Sequence, residues 1–262
     1  MSEELNDEKI NQILEELELE DQEQEHDNYK QEPTKITTKQ KDEEFDYVQN
    51  AINSNIEDAL TLEFPSTIII AGSTKTGKSE LMKNIIYKNY KQFNRIYLLC
   101  PFANTDKFYS FIPEKYRIED PTDGDLTLIY NDCINNKNIN TLIIADDCIS
   151  KLNFERGAAS KIISATGRHI NLSLIIVMQY LNNISPIIRD NSTYLFVTKL
   201  KSRSIKTIYD MTSCFNSEIE CKRFLDTTCK DYNVIRFNLT GYNTKEYYVF
   251  KNKKSRNYVL KY

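Results

Sequence analysis

Short apolar runs recur through the middle of the chain, separated by polar stretches. They are residues 67–71 (TIIIA), 95–100 (RIYLLC), 126–130 (LTLIY), 141–145 (TLIIA), 172–178 (LSLIIVM) and 193–197 (TYLFV). Most are continuous and β-branched instead of alternating in and out. Such runs suit strands covered on both faces, which predicts an α/β fold with a mainly parallel sheet and helices on both sides. Phe45, Val48, Ala51, Ile52, Ile56 and Leu60 keep helical spacing and predict a helix leading into the first strand. A second helix is expected over 79–90, and a third around Ile162 and Ile163, covering the sheet between the fourth and fifth runs. Residues 233–239 and 246–251, split by Gly241-Tyr242-Asn243, read as a C-terminal β-hairpin.

Composition adds a boundary. The chain has 262 residues and a net charge of -4, but the charge is unevenly spread. Residues 1–46 hold 17 acidic and 5 basic residues, whereas residues 199–262 hold 14 basic and 6 acidic. Residues 1–44 are rich in Glu, Gln, Lys and Asn, too polar to offset ordering entropy, and are expected to form a disordered acidic tail ahead of a domain at 45–262. Within the tail, Ile10, Ile13, Leu14 and Leu17 have the spacing of a short amphipathic helix. No apolar run approaches the ~20 residues that span a bilayer, and the opening MSEELNDEKI lacks the apolar stretch of a secretory signal. With six cysteines and no C-x-x-C, the expectation is a soluble intracellular protein with reduced thiols. Cys214, Cys221 and Cys229 do not have zinc-site spacing; Cys133 and Cys148 are expected in the core.

The chemistry is concentrated in three strings. Gly72-Ser73-Thr74-Lys75-Thr76-Gly77-Lys78-Ser79 fits G-x-x-x-x-G-K-[ST] at every position, between a predicted strand and a predicted helix. Its glycines permit close backbone approach and its N–H groups face phosphates. Lys78 supplies a charge near the β/γ oxygens, and the Ser79 hydroxyl is a ligand for Mg²⁺. The run 141–145 ends in Asp146-Asp147, a Walker B pattern in which Asp146 supports the metal and Asp147 accepts a proton from an attacking water. The run 172–178 ends in Gln179, placed to sense a γ-phosphate or orient water. All three polar groups follow strands at their carboxyl ends, where open α/β sheets bind ligands.

Gly167-Arg168-His169-Ile170-Asn171-Leu172-Ser173, then Gln179-Tyr180, then Ile187-Ile188-Arg189, resemble the poxvirus-type DNA-packaging ATPases of large DNA viruses and virophages, within the FtsK–HerA group of P-loop motors. The resemblance covers about residues 64–200. It implies a homo-oligomeric ring that uses ATP and Mg²⁺ to pump double-stranded DNA into a preformed capsid, at an assembly site in the host cytoplasm or in the virion. It also implies nucleotide and metal binding by Lys78 and Ser79, metal support by Asp146, water activation by Asp147 and sensing by Gln179. Cellular members of the wider group usually carry Glu where Asp147 stands, so the water must sit closer here. Ring motors complete their sites with an arginine from a neighbouring subunit. Arg168, which directly precedes the sensor strand, is the favoured candidate, with Arg189 the second; His169 is expected to be structural.

Lys199, Lys201, Arg203, Lys206, Lys251, Lys253, Lys254 and Arg256 lie among Tyr247, Tyr248 and Tyr258. This basic rear reads either as a phosphate-neutralising surface or as a solvated face. The acidic tail is expected to compete for that surface or to dock on a capsid or portal protein. Other P-loop functions have weaker support. A guanine reader would need Asp where Thr198-Lys199-Leu200-Lys201 ends in Lys; no arginine-rich kinase lid is evident; and residues 199–262 lack the acidic cluster of a nuclease. A nucleotide-dependent switch, or a nucleic-acid-binding NTPase without translocation, is the alternative.

Overall fold

The computed structural model describes residues 51–52, 56–148, 151–240, 247–255 and 258–260. The acidic tail, the amphipathic spacing within it, residues 45–50 of the first expected helix, the turn at 241–243 and Arg256 lie outside the described residues. Contacts divide the chain into units Met1–Gln49 and Asn50–Tyr262; the sheet and its helices make up the second.

The strands are β1 (Ala51–Ile52), β2 (Thr67–Ala71), β3 (Arg95–Leu99), β4 (Arg117–Ile118), β5 (Thr141–Asp146), β6 (Leu172–Met178), β7 (Tyr194–Val197), β8 (Asn233–Asn238) and β9 (Tyr247–Lys251). They form one nine-stranded sheet in the order β1-β9-β8-β7-β2-β6-β5-β3-β4. Only β8 runs against its neighbours, pairing antiparallel with both β7 and β9, while every other pair is parallel. Among the described residues the α-helices are α1 (Ile56–Leu60), α2 (Lys78–Asn89), α3 (Asp123–Asn135), α4 (Ala158–Thr166), α5 (Pro186–Asp190), α6 (Ile205–Met211) and α7 (Glu218–Thr228).

The central strands explain the unbroken apolar runs. Every residue of β2, β5, β6 and β7 is buried. Ile68, Ile70, Ile96, Leu98, Leu142, Ile144, Ile175, Val177 and Phe196 share one core with Leu81, Met82, Ile85 and Ile86 of α2. Ile69, Ile143, Leu174, Ile176 and Leu195, one residue out of phase with them, are buried too, as a sheet covered on both faces requires. The C-terminal hairpin forms as expected, Asn233 opposite Lys251 and Phe237 opposite Tyr247.

Two expectations are corrected. Residues 126–130 are not a strand but lie within α3. The reason is local: Thr122 accepts from the Asp125 N–H while the Asp125 carboxylate accepts from the Thr122 N–H, a capping box that starts a helix. Leu126, Ile129, Tyr130 and Cys133 then fall on one buried face, and Leu128 is exposed, which is helical and not strand periodicity. The helix expected from residue 45 to residue 60 is interrupted, because Ala51–Ile52 pair with Tyr247 and Tyr248 of β9; among the described residues of that stretch, Ile56–Leu60 are the helical ones.

Arg236 ties α1 to the sheet. Its guanidinium donates to the carbonyls of Asp58, Ala59 and Thr61 at 3.4, 3.0 and 3.2 Å; the Thr61 N–H also bonds Asp58 O, and the other two are acceptors of the kind that the end of a helix leaves open. It lies 3.8 Å from the ring centroid of Tyr248. Burial lowers its pKa, against the neighbouring Tyr248 and Tyr194.

Candidate nucleotide site

The site is set by register. Ala71, the last residue of β2, pairs with Met178, the last of β6, and Asp146, the last of β5, pairs with Val177. The loop 72–79, Gln179 and the Asp146-Asp147 pair therefore leave three adjacent strands at the same end. With ~4.8 Å between strands, the first and last of these strands are only about 10 Å apart.

The glycine bend is shaped by contacts on both sides. The Gly72 N–H donates to Met178 O at 3.2 Å and the Ser73 N–H to Lys199 O at 2.8 Å. A Cβ on Gly72 would stand 1.7 Å from Thr198 Oγ1 and 2.8 Å from Thr76 Oγ1, so a side chain there would have to displace both hydroxyls. Gly77 has φ +88°, and Lys75 is also left-handed at φ 62°. The Thr76 hydroxyl lies 2.7 Å from the Thr198 hydroxyl and 2.7 Å from Ser73 O, to which it donates. Lys78 Nζ donates to Ser73 O at 2.9 Å, and Thr74 Oγ1 donates to Gln179 Oε1 at 3.2 Å. The loop is thus cross-braced to β6 and to the segment after β7.

Electrostatics link the loop to the acidic pair. Burial lowers the Lys78 pKa, and both Asp146 and Asp147 hold it up. Asp146 is 3% exposed and accepts a 2.9 Å bond from the Tyr109 hydroxyl. Burial pushes its carboxyl up; the Tyr109 and Ser79 hydroxyls and Lys78 favour its charge, and Asp147 opposes it. Asp147 is exposed and left-handed, with φ 54°. A non-glycine residue held there is strained, and the strain turns the second carboxylate out of the sheet while the first stays in. A buried carboxylate beside the Ser79 hydroxyl is a hard oxygen pair suited to Mg²⁺, which takes one or two protein oxygens and fills its shell with phosphate and water. Among the described residues no group of three or more His, Cys, Asp or Glu could hold a metal by itself.

The two candidate arginines lie elsewhere. Arg168 is exposed in the turn Gly167–Ile170, ahead of β6, and lines a hollow with Glu63, Ser66 and Asp190. The seven residues of β6 separate it from Gln179, about 23 Å of strand. Arg189 in α5 precedes β7, whose approach is fixed by the Thr193 N–H bonding Thr67 O at 2.8 Å, so it too sits at the far end of the sheet. Neither reaches the glycine bend of its own chain. Nearer is the basic segment after β7: Lys199, Lys201 and Arg203 are exposed, and the Arg203 guanidinium lies 3.1 Å from the ring centroid of Tyr180, the residue after Gln179. Cys133 and Cys148 are buried, as expected. No helix among the described residues is long and apolar enough to cross a membrane.

Sequence reasoning missed Thr198 and Tyr109. Thr198 had a signal, being the first polar residue after an apolar strand, as Gln179 is. Tyr109 had none: it lies 37 residues from Asp146, in a short 3₁₀ turn (Lys107–Phe111) whose N-cap is Asp106.

A parallel sheet with a lysine-bearing glycine bend on one strand, and an acidic pair two strands away, defines a P-loop nucleotide-binding fold. The poxvirus A32 protein family model matches residues 53–237; the chain belongs to that family. An uncharacterized protein of Acanthamoeba polyphaga mimivirus is 24% identical over 159 residues, 60% of this chain and 54% of that protein. Another, of Invertebrate iridescent virus 3, is 24% identical over 180 residues, 65% of this chain and 68% of that protein. The chain thus matches about half the length of the mimivirus relative. Among solved structures, the genome packaging NTPase B204 from Sulfolobus turreted icosahedral virus 2, in complex with AMPPCP, superposes with a TM-score of 0.55 at 17% identity. It covers 72% of this chain and 98% of that one, a likeness of fold.

Proposed function

We propose that this chain is an ATP-hydrolysing motor that moves double-stranded viral DNA into a capsid. The observation that carries the reading is the convergence of Lys78, Asp146, Asp147 and Gln179 at the ends of three neighbouring strands. Membership of the poxvirus A32 family and the fold shared with a protein described as a genome packaging NTPase support the biological setting.

The loop N–H groups and the start of α2 face the phosphates, and Lys78 exchanges its bond to Ser73 O for phosphate oxygens. Ser79 and Asp146 would hold Mg²⁺, which when bound neutralises charge on the phosphate oxygens. Asp147, exposed and turned outward, takes the proton of the attacking water, and Gln179 orients that water or reads the γ-phosphate. Because Arg168 and Arg189 stand at the other end of the sheet, either would act only on a neighbouring copy, as a ring arrangement offers. Of the two, Arg168 is the exposed one and remains the first choice. The exposed basic segment at Lys199, Lys201 and Arg203 directly follows a loop contact and offers charge to a DNA backbone. The tail's docking on a capsid or portal protein belongs to the same proposal.

Lys78→Ala should abolish nucleotide binding measured by calorimetry. Asp147→Asn should bind ATP with near-parent affinity but turn over at least 100-fold more slowly, within the range of general-base contributions. Hydrolysis at the parent rate by the Asn variant refutes the assignment of the base.

A further inference from the structure

The triphosphate cradle has two flanks, and only one is occupied by the acidic pair. On the other flank β8 enters the sheet. It pairs antiparallel with β7, Ile235 opposite Val197, so its first residues overhang the carboxyl ends of β7 and β2, where the glycine bend lies. The turn that feeds it is unusual. Asp231 and Tyr232 are both left-handed, with φ 50° and 64°, and the Asn233 N–H bonds Lys230 O at 2.8 Å. A tight turn with two positive φ values is normally built from Asn, Asp or Gly, and a tyrosine in its second position is strained.

The strain holds a ring against the loop. A Cβ added to Gly77 would stand 3.3 Å from Tyr232 Cδ1 and 3.3 Å from Asn252 Nδ2, so both side chains lie beside this glycine. Asn252 fixes the arrangement: its N–H bonds Tyr232 O at 2.9 Å, its Nδ2 donates to Gly77 O at 3.1 Å, and its Oδ1 accepts from Asn84 Nδ2 at 3.1 Å. Yet Tyr232 is 60% exposed. A large aromatic ring is thus anchored to the last glycine of the loop while much of its surface faces solvent.

We propose that Tyr232 is the stacking platform for the nucleobase. The inference rests on the nucleotide-binding reading above and extends it. Gln179 and the Asp146-Asp147 pair leave β6 and β5, on the side of the glycine bend away from β8, which sets the γ end of a triphosphate there. The sugar and base then leave past Gly77 on the β8 flank, where the Tyr232 ring is the exposed aromatic surface fixed to the loop. Stacking accepts any base face, because every base has one. Tyr232 therefore contributes affinity for a nucleoside polyphosphate that inorganic polyphosphate cannot use.

The test compares ADP with inorganic tripolyphosphate by calorimetry on the full chain. Tyr232→Ala should weaken ADP by about 5- to 150-fold, the span of base–aromatic stacking, and leave tripolyphosphate within about twofold. Tyr232→Phe should restore ADP affinity. Tyr232→Gly removes the ring and also relieves the left-handed backbone, so it should lose ADP affinity while melting no lower than the parent. Unchanged ADP affinity in the Ala and Gly variants, or equal loss of ADP and tripolyphosphate, overturns the platform and leaves the nucleotide site standing. A parent chain that binds neither compound overturns both.

Discussion

Replacing Asp146 with Asn should stabilise the nucleotide-free chain while removing its function. Asp146 is 3% exposed, and keeping a carboxylate charged at such a position costs several kcal/mol. Hydroxyl bonds from Tyr109 and Ser79 and the field of Lys78 return part of that, each bond to a charge contributing about 1.5–3 kcal/mol. Asn keeps an acceptor for Tyr109, has the same shape and carries no charge. Lys78 retains Asp147 as its opposite charge. The net gain is expected at about 1–2 kcal/mol, or roughly 2–8 °C in melting temperature for a domain of this size. The pH dependence has a definite sign. An ordinary aspartate titrates near 3.8, and burial raises Asp146 above that. The folded parent therefore holds its proton more tightly than the unfolded chain, and loses that stabilisation as pH rises through the raised pKa. The melting-temperature gap between Asn variant and parent should be small near pH 4 and widen towards pH 8. Scanning fluorimetry across that range measures it. With magnesium and ATP added, the order should reverse, since only the parent keeps the carboxylate that would help hold the metal. An Asn variant melting below the parent at pH 8 without nucleotide would refute a strained, cation-seeking carboxylate.

Other consequences concern the parts around the site. Tyr109→Phe removes the donor to Asp146 and should raise the magnesium concentration giving half-maximal hydrolysis by about tenfold, in line with other residues that orient metal ligands; a magnesium titration checks it. Gly72→Ala should lower nucleotide affinity at least tenfold because its Cβ meets Thr198 Oγ1 at 1.7 Å. Adding Thr198→Ala should recover part of the loss, a non-additivity readable by calorimetry. Arg236→Met should lower stability by about 3 kcal/mol by leaving the carbonyls of Ala59 and Thr61 without this donor and removing one of the two donors to Asp58 O, seen as a drop in the midpoint of urea unfolding, and Arg236→Lys should not fully restore it.

Much of the site was legible because its parts are local. The glycine bend is one contiguous string, and the acidic pair and Gln179 each terminate an apolar run, so strand polarity alone carried them to one end of the sheet. The same reasoning misread Leu126–Tyr130, where five apolar or β-branched residues match a strand until the Thr122–Asp125 capping box is recognised. It could not foresee β1, since two residues pairing with a strand nearly 200 positions later leave no periodic signal. Tyr109 and Tyr232 were invisible for a related reason. Neither tyrosine belongs to a motif, and the meaning of each comes only from what the fold sets beside it: the Asp146 carboxylate in one case, Gly77 in the other. The arginines show the complementary failure. Proximity to the sensor strand in sequence put Arg168 at the strand's wrong end for its own site, because seven extended residues intervene.

The most direct test of the motor is steady-state ATP hydrolysis by the full chain, with and without double-stranded DNA, in parent and Asp147→Asn forms. A motor built on this site hydrolyses ATP faster when DNA is present, and the Asn form loses that turnover while still binding ATP. Hydrolysis indifferent to DNA, or stimulated instead by a small phosphoryl acceptor, would contradict it.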